Sequence, residues 1–213
     1  MCDLARRPPP AIRTPETGDP KRLVSPERWQ ERFLRPAPIV CDLGAGNGLF
    51  AAAYAELHPE WNVLAVERKL HRVRQIERAS TLRCLSNLRV LWFSWDDLLL
   101  SWSRRSSCRE IHVLFPDPWP KRRHQSRRTL TAAVVASILR VLEPGGLFRF
   151  LTDDADYSRA VERTAASLPG FARREASGDY PASHFESIFR SKGDLLYGAV
   201  WRKEETPGEG ETR

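Results

Sequence analysis

The sequence predicts an α/β protein built on a doubly wound, mostly parallel sheet with helices on both faces. Three observations carry that expectation. Five short runs, "PIVCDL", "WNVLAVE", "LRVLWF", "IHVLF" and "LFRFLT", are apolar without polar alternation, as strands buried on both faces are. Segments of helical periodicity separate them, which is the pattern of successive βαβ units. Polar residues stand at or just after the run ends: Asp42, Glu67, Ser94, Asp117 and Asp153. Sheets of this kind bind ligands beyond the carboxyl ends of their strands, so these residues are the first to consider for function.

The elements follow in order. Residues 1–24 hold five prolines and little periodic apolar content, and they are expected to be flexible. "SPERWQERFLR" predicts a short helix, with Ser25 as N-cap and Pro26 at its first position. "PIVCDL" is the first strand, and the alanine-rich "GLFAAAYAELH" the helix after it. "WNVLAVE" is a strand, "LHRVRQIERAST" an amphipathic helix, "LRVLWF" and "IHVLF" two further strands. "RRTLTAAVVASILRVL" predicts a helix ended by "EPGG". "LFRFLT" is a strand and "DADYSRAVERTAASL" a helix. "FARREAS" and "DLLYGAVW" predict a final antiparallel pair, bringing the sheet to seven strands. The folded domain is expected over 25–202, with a solvated tail at 203–213.

Composition narrows the classes. At 213 residues and 41% hydrophobic, the chain has the length and apolar content for one domain with a sizeable core. A net charge of +7 and a pI of about 9.6 are compatible with a polyanionic partner. The four cysteines, Cys2, Cys41, Cys84 and Cys108, form no C-x-x-C pair, so reduced thiols and no metal site are expected. No stretch approaches the roughly 20 apolar residues of a membrane helix, and "MCDLARRPPP" lacks the apolar region of a signal peptide. A cytoplasmic protein with no membrane association is the simplest expectation. Trp92, Trp102, Phe148 and Trp201 lie in apolar runs and read as core.

"DLGAGNG" follows the first strand. Gly44, Gly46 and Gly48 let the backbone turn sharply and approach a ligand closely. Glu67, closing the second strand, is placed to accept hydrogen bonds from ribose hydroxyls. A dinucleotide site would show G-x-G-x-x-G. Here the spacing is G-x-G-x-G, and Asp42 precedes the first glycine, where it would repel a pyrophosphate. A carboxylate there suits a ligand carrying an amino group or a sulfonium, and S-adenosylmethionine carries both. A tight turn with no ligand is the plain alternative.

The fourth strand leads into "FPDPWPKRRHQSRR". Pro118 and Pro120 stiffen the turn that carries Asp117 and Trp119. Lys121, Arg122, Arg123, His124, Arg127 and Arg128 follow. A basic run is usually a solvated face. At a strand's carboxyl end, beside a presumed cofactor, it also suits a nucleic-acid base delivered by its phosphate backbone.

"DLGAGNG", Glu67, "FPDPWPKRRHQSRR", "LTDDADY" and "SHFESIF" together resemble the tRNA (guanine-N7)-methyltransferase family, in order and spacing, from Trp29 to Trp201. The resemblance implies a class I (Rossmann-like) methyltransferase fold, S-adenosylmethionine as methyl donor, and the guanosine at tRNA position 46 as acceptor. It implies that Asp42 contacts the methionine moiety, Glu67 the ribose, and that Asp117 serves catalysis beside the cofactor. Lys121 and Asp153 match substrate-contacting positions. Ser183, His184, Phe185 and Glu186 align with a substrate-binding T-x-[FY]-E segment, with Ser183 in place of threonine. Arg122, Arg123, His124, Arg127 and Arg128 are expected on the tRNA. The family's adenine-contacting acid is replaced by Ser94; either Ser94 and Trp95 make that contact or Asp96 does. The resemblance also implies no obligatory protein subunit, so a monomer or homodimer is expected.

N7 of guanine has a free lone pair and no proton. Its methylation therefore needs no general base, and Asp117 reads as a group that orients the base and stabilises charge. The competing readings are a methyltransferase of exocyclic amines, for which "DPWP" is a distant relative of the usual turn, and a non-catalytic RNA-binding module. The acids at 42, 67 and 117 argue against the module, because without a cofactor they would only repel RNA.

Overall fold

The computed structural model describes residues 33, 35–101, 106–119, 128–175 and 180–205. The expected N-terminal segment, most of the helix drawn over 25–35, Trp102, Lys121, Arg122, Arg123, His124, Arg127 and most of the C-terminal tail lie outside them.

Seven strands form one sheet: β1 (Ile39–Leu43), β2 (Asn62–Glu67), β3 (Leu88–Trp92), β4 (Cys108–Leu114), β5 (Leu142–Thr152), β6 (Phe171–Arg174) and β7 (Tyr197–Lys203). Their spatial order is β3-β2-β1-β4-β5-β7-β6. The first five run parallel, and β7 is antiparallel to both β5 and β6. Among the described residues six helices connect them: α1 (Leu49–Leu57), α2 (Leu70–Leu82), α3 (Trp95–Ser101), α4 (Ala132–Val141), α5 (Ala155–Ala166) and α6 (His184–Lys192).

Alternation along β1 divides the interior. Ile39, Cys41 and Leu43 face a core completed by Leu98 and Leu99 of α3, Val134, Val135 and Ile138 of α4, and Tyr157 and Val161 of α5. Val40 faces the opposite core, filled by Phe50, Ala51 and Tyr54 of α1 and by Val73 and Ile76 of α2. Both faces are thus covered, which explains the unbroken apolar runs in the sequence. The chain winds outward from β1 in one direction and from β4 in the other. The crevice between those two strands is where such sheets accept ligands.

Several boundaries differ from expectation. α4 begins at Ala132, where the Thr131 side chain accepts a hydrogen bond from the Val134 amide and caps the helix. "EPGG" is not a loop after that helix but the start of β5. At Gly146 a Cβ would stand 2.8 Å from the Glu143 carbonyl and 2.9 Å from that of Arg109, so the strand tolerates no side chain there. β4 starts earlier than its apolar run because it opens with Cys108, Arg109 and Glu110. The helices α3 and α6 were not expected; both are short.

Cys41 and Cys108 are buried free thiols on neighbouring strands. Cys84 is disulfide-bonded, which corrects the expectation of reduced thiols throughout. Among the described residues, no cluster of His, Cys, Asp and Glu could hold a metal ion, and no helix is long and apolar enough to cross a membrane.

Candidate active site

The loop after β1 is drawn against β2. The amides of Gly44 and Ala45 donate to the Val66 carbonyl at 2.8 and 3.0 Å. Gly44, Gly46 and Gly48 have φ of 80°, 59° and 77°, a region that other residues enter at a cost. Gly48 is constrained twice, since a Cβ there would lie 2.5 Å from Ile76 Cγ1. Glu67 closes the loop from below. Its Oε2 accepts from the Gly46 amide at 3.0 Å and its Oε1 from the Lys69 amide at 2.8 Å. Arg72 stands 3.8 Å away. The carboxylate is almost fully buried, yet each oxygen keeps a lone pair for a further donor such as a ribose hydroxyl.

Asp42 lies beneath the same loop and is also buried. Its Oδ2 has no hydrogen-bond partner. Burial, then the negative charge of Glu67, push its pKa up to about 7, against the opposing pull of Arg149. A buried carboxylate with an unpaired oxygen lacks a cationic or hydrogen-bonding partner. The amino group of S-adenosylmethionine is such a partner, so the residues present fit that cofactor.

Asp42 belongs to a row that crosses the sheet. His112 of β4 stands beside it, and Arg149 of β5 beside His112. Burial keeps the His112 imidazole below its ordinary pKa and hence neutral near pH 7. Arg149 lies 4.6 Å from the centroid of the Tyr180 ring and 3.7 Å from Glu186 Oε2. Sequence reasoning missed Arg149. The available signal was one arginine inside the apolar run "LFRFLT".

α3 supplies the third side of the pocket. Trp95 packs over the glycine loop, so that a Cβ on Gly44 would meet its Nε1 at 3.4 Å. The Ser94 hydroxyl donates to the Asp96 carboxylate. The serine that replaces the expected acid therefore keeps an acid next to its own position.

The turn after β4 is held in an unusual backbone. Phe115 and Trp119, on either side of Asp117, have φ of 53° and 43°. Non-glycine residues in this region are strained, and such strain gathers at functional turns. Phe115 anchors the start, donating its amide to the Leu151 carbonyl at 2.7 Å and packing against Phe189 of α6. Asp117 itself is exposed, with Arg68 Nη2 at 3.7 Å. Exposed pairs of this kind are worth at most about 1 kcal/mol, so Asp117 exchanges partners easily.

Arg128, expected on the tRNA with the basic loop, has a task within the fold as well. It is largely buried and fastens the turn from behind. Its Nε donates to the Pro118 carbonyl at 2.7 Å and its Nη2 to Asp154 Oδ1 at 3.3 Å. Its guanidinium also lies 4.7 Å from the Tyr157 ring centroid. Asp154 in turn caps α5 by accepting from the Tyr157 amide at 2.6 Å. Arg128→Ala is expected to lower stability by about 1.5–3 kcal/mol in urea unfolding, because it removes charged hydrogen bonds from a protected site. A change within about 0.5 kcal/mol would return Arg128 to the class of exposed surface residues.

The "SHFE" segment has an internal logic too. Ser183 is the N-cap of α6, its Oγ accepting from the Glu186 amide at 3.2 Å. A serine keeps the capping oxygen that threonine would supply. Glu186 is buried and receives Arg190 at 2.8 Å as well as Arg149. His184 and Phe185 are exposed on the first turn. Asp153 is exposed just after β5.

The carboxyl ends of β1, β2, β4 and β5 thus bring Asp42, the glycines, Glu67, Asp117 and Asp153 to one edge of the sheet. Ser94, in the turn after β3, and Trp95, the first residue of α3, join them. α6 reaches the Asp117 turn through Phe189. The strand order with its antiparallel β7, and acids at the ends of β1 and β2 around a glycine turn, define a class I methyltransferase. The methyltransferase family described as "Putative methyltransferase" matches residues 36–199. The tRNA (guanine-N(7)-)-methyltransferase of Alkalilimnicola ehrlichii is 30% identical over 92% of this chain and 83% of its own. That of Chlamydia felis is 34% identical over 79% of this chain and 77% of its own. The chain belongs to the tRNA (guanine-N7)-methyltransferase family. The same fold is seen in the crystal structure of the 16S rRNA methyltransferase KamB, with a TM-score of 0.61 at 15% identity over 85% of this chain and 95% of that one.

Proposed function

We propose that the protein transfers the methyl group of S-adenosylmethionine to N7 of a guanosine in tRNA, at position 46 of the variable loop. The observation that carries this reading is the pairing, along one sheet edge, of an unsatisfied buried carboxylate under a glycine loop with an exposed carboxylate on a braced turn. The first suits a cationic cofactor, the second a base that becomes positive. The family relationship supplies tRNA and N7. Position 46 comes from the resemblance of the motifs.

S-adenosylmethionine, when bound, supplies an electrophilic methyl on a sulfonium. Asp42 holds its amino group and Glu67 its ribose hydroxyls, while Trp95 and the Ser94–Asp96 pair border the remaining side of the pocket. Asp117 accepts hydrogen bonds from the guanine N1–H and amino group, leaving N7 free. N7 would bond to the methyl as the sulfur–methyl bond breaks, the electron pair staying on sulfur as a neutral thioether, and the Asp117 carboxylate would stabilise the positive charge that passes into the purine. No proton moves in the transfer, so Asp117 is not required as a base. Holding donor and acceptor in line supplies much of the acceleration. Drawing the base from its stack costs a few kcal/mol, offset by contacts such as those Phe185 and Trp119 offer from the rim. Asp153, His184 and the basic residues Lys121, Arg122, Arg123, His124 and Arg127 complete the tRNA contact in this reading.

Transfer of labelled methyl to unmodified tRNA, followed by digestion to nucleosides, tests it. The label is expected in 7-methylguanosine. Label in an amino-methylated nucleoside would assign the protein to exocyclic-amine chemistry, and no transfer would leave an RNA-binding role.

A further inference from the structure

Basic side chains outside the loop after β4 gather on α2. This helix turns Val73, Ile76 and Ser80 inward. The opposite stripe carries His71, Arg74 and Arg78, all exposed, at the spacing that aligns residues on one helical face. Lys69 stands exposed at the N-cap. Arg68, one residue earlier, is the residue that reaches Asp117 at 3.7 Å. The stripe is therefore continuous with the rim of the active site.

A solvated face is the ordinary explanation for surface charge, and three features oppose it here. Several exposed cations elsewhere are paired with acids, Arg83 with Glu56, Arg109 with Glu143, Arg159 with Asp156 and Arg173 with Glu162, while the exposed Arg163, Arg174, Lys192 and Arg202, without an ion pair among the described residues, are spread over four different elements. Lys69, His71, Arg74 and Arg78 have no side-chain hydrogen bond or ion pair among the described residues. The helix contains a single acid, Glu77, and none in its first turn. Finally, Lys69, His71 and Arg72 stand at the end of the helix where its dipole disfavours cations, so they do not serve helix stability. Arg72 is the inward member of the set, turned to Glu67.

We propose that the α2 stripe is a second contact surface for tRNA. It holds backbone phosphates on the β2 side of the site. Arg68 links the stripe to the site, and leaves Asp117 when the target base takes its place. This inference rests on the methyl-transfer reading above.

The test uses the full chain and unmodified tRNA, with Arg74→Gln/Arg78→Gln and Arg74→Glu/Arg78→Glu variants. Tight phosphate contacts release counterions, so loss of two should make the plot of log affinity against log salt shallower by about 1.4–1.8. The KM for tRNA should rise, more for the glutamate pair. The kcat at saturating tRNA and the affinity for S-adenosylmethionine should stay at wild-type values, since neither arginine touches the cofactor site. Unchanged salt slope and KM in both variants would overturn the proposal, as would a parallel loss of cofactor affinity. If the wild-type protein neither binds nor methylates tRNA, the functional reading falls and this inference with it. If the wild type methylates tRNA and the variants match it, only the α2 surface is refuted.

Discussion

Asp42→Asn is expected to bind S-adenosylmethionine about 10- to 100-fold more weakly, the loss of one charged hydrogen bond, and yet to stabilise the free protein. The two effects share one cause. The carboxyl is buried beside Glu67, its Oδ2 unpartnered, and its pKa stands at about 7. In the unfolded chain the same group titrates near 3.9. The folded state therefore binds the proton more tightly, and stability falls as pH rises from about 4 to about 7. Above that window the native protein carries the full cost of an ionised Asp42, which asparagine removes. Thermal unfolding at about pH 8 should show the gain, and at about pH 4 the difference should vanish. Calorimetry should show wild-type cofactor affinity falling as pH drops below about 7 and an affinity in the variant that is flat over the same range. A variant that loses stability at about pH 8 would mean that Asp42 makes a compensating contact in the free protein.

Asp117→Asn is expected to lower kcat by about 100- to 1,000-fold, the range found when one group facing developing charge is removed. Cofactor affinity should be nearly unchanged, because the Asp117 side chain is exposed and pairs with Arg68 rather than with a residue of the glycine loop. The amide keeps an acceptor for guanine but no charge for the purine. The same reasoning separates a charge stabiliser from a base. Because N7 has no proton to lose, methyl transfer should show no solvent deuterium isotope effect that depends on Asp117. A solvent isotope effect in the wild type that disappears in the asparagine variant would make Asp117 a base instead.

Much of this arrangement was legible in the sequence, and the parts that were not share physical reasons. Strands buried on both faces announce themselves as apolar runs, so β1, β2 and β3 lay where those runs stood. The acids at strand ends were visible because a carboxylate after an apolar run has little reason to be there except a ligand. β5 was harder. Its first half, "LEPGG", has the composition of a turn, and only the tight approach at Gly146 shows why glycine sits in a strand. α3 and α6 were hidden because they are short and lack the alanine run that marks the similarly short α1. The bracing role of Arg128 was hidden for a different reason. Sequence proximity placed it with the basic loop, and its contacts with Pro118, Asp154 and Tyr157 come from residues distant in the sequence or across the turn. Arg149 was missed because an arginine in a strand gives no hint of its partners, which come from α6 and the segment before it.

The most direct test of the account is to incubate the protein with unmodified tRNA and S-adenosylmethionine, then treat the product with borohydride and aniline. That chemistry cleaves the chain at 7-methylguanosine. The account predicts a single new break at the guanosine of position 46, absent without cofactor and strongly reduced with Asp117→Asn. Methyl incorporation with no cleavage, or cleavage at another guanosine, would contradict it.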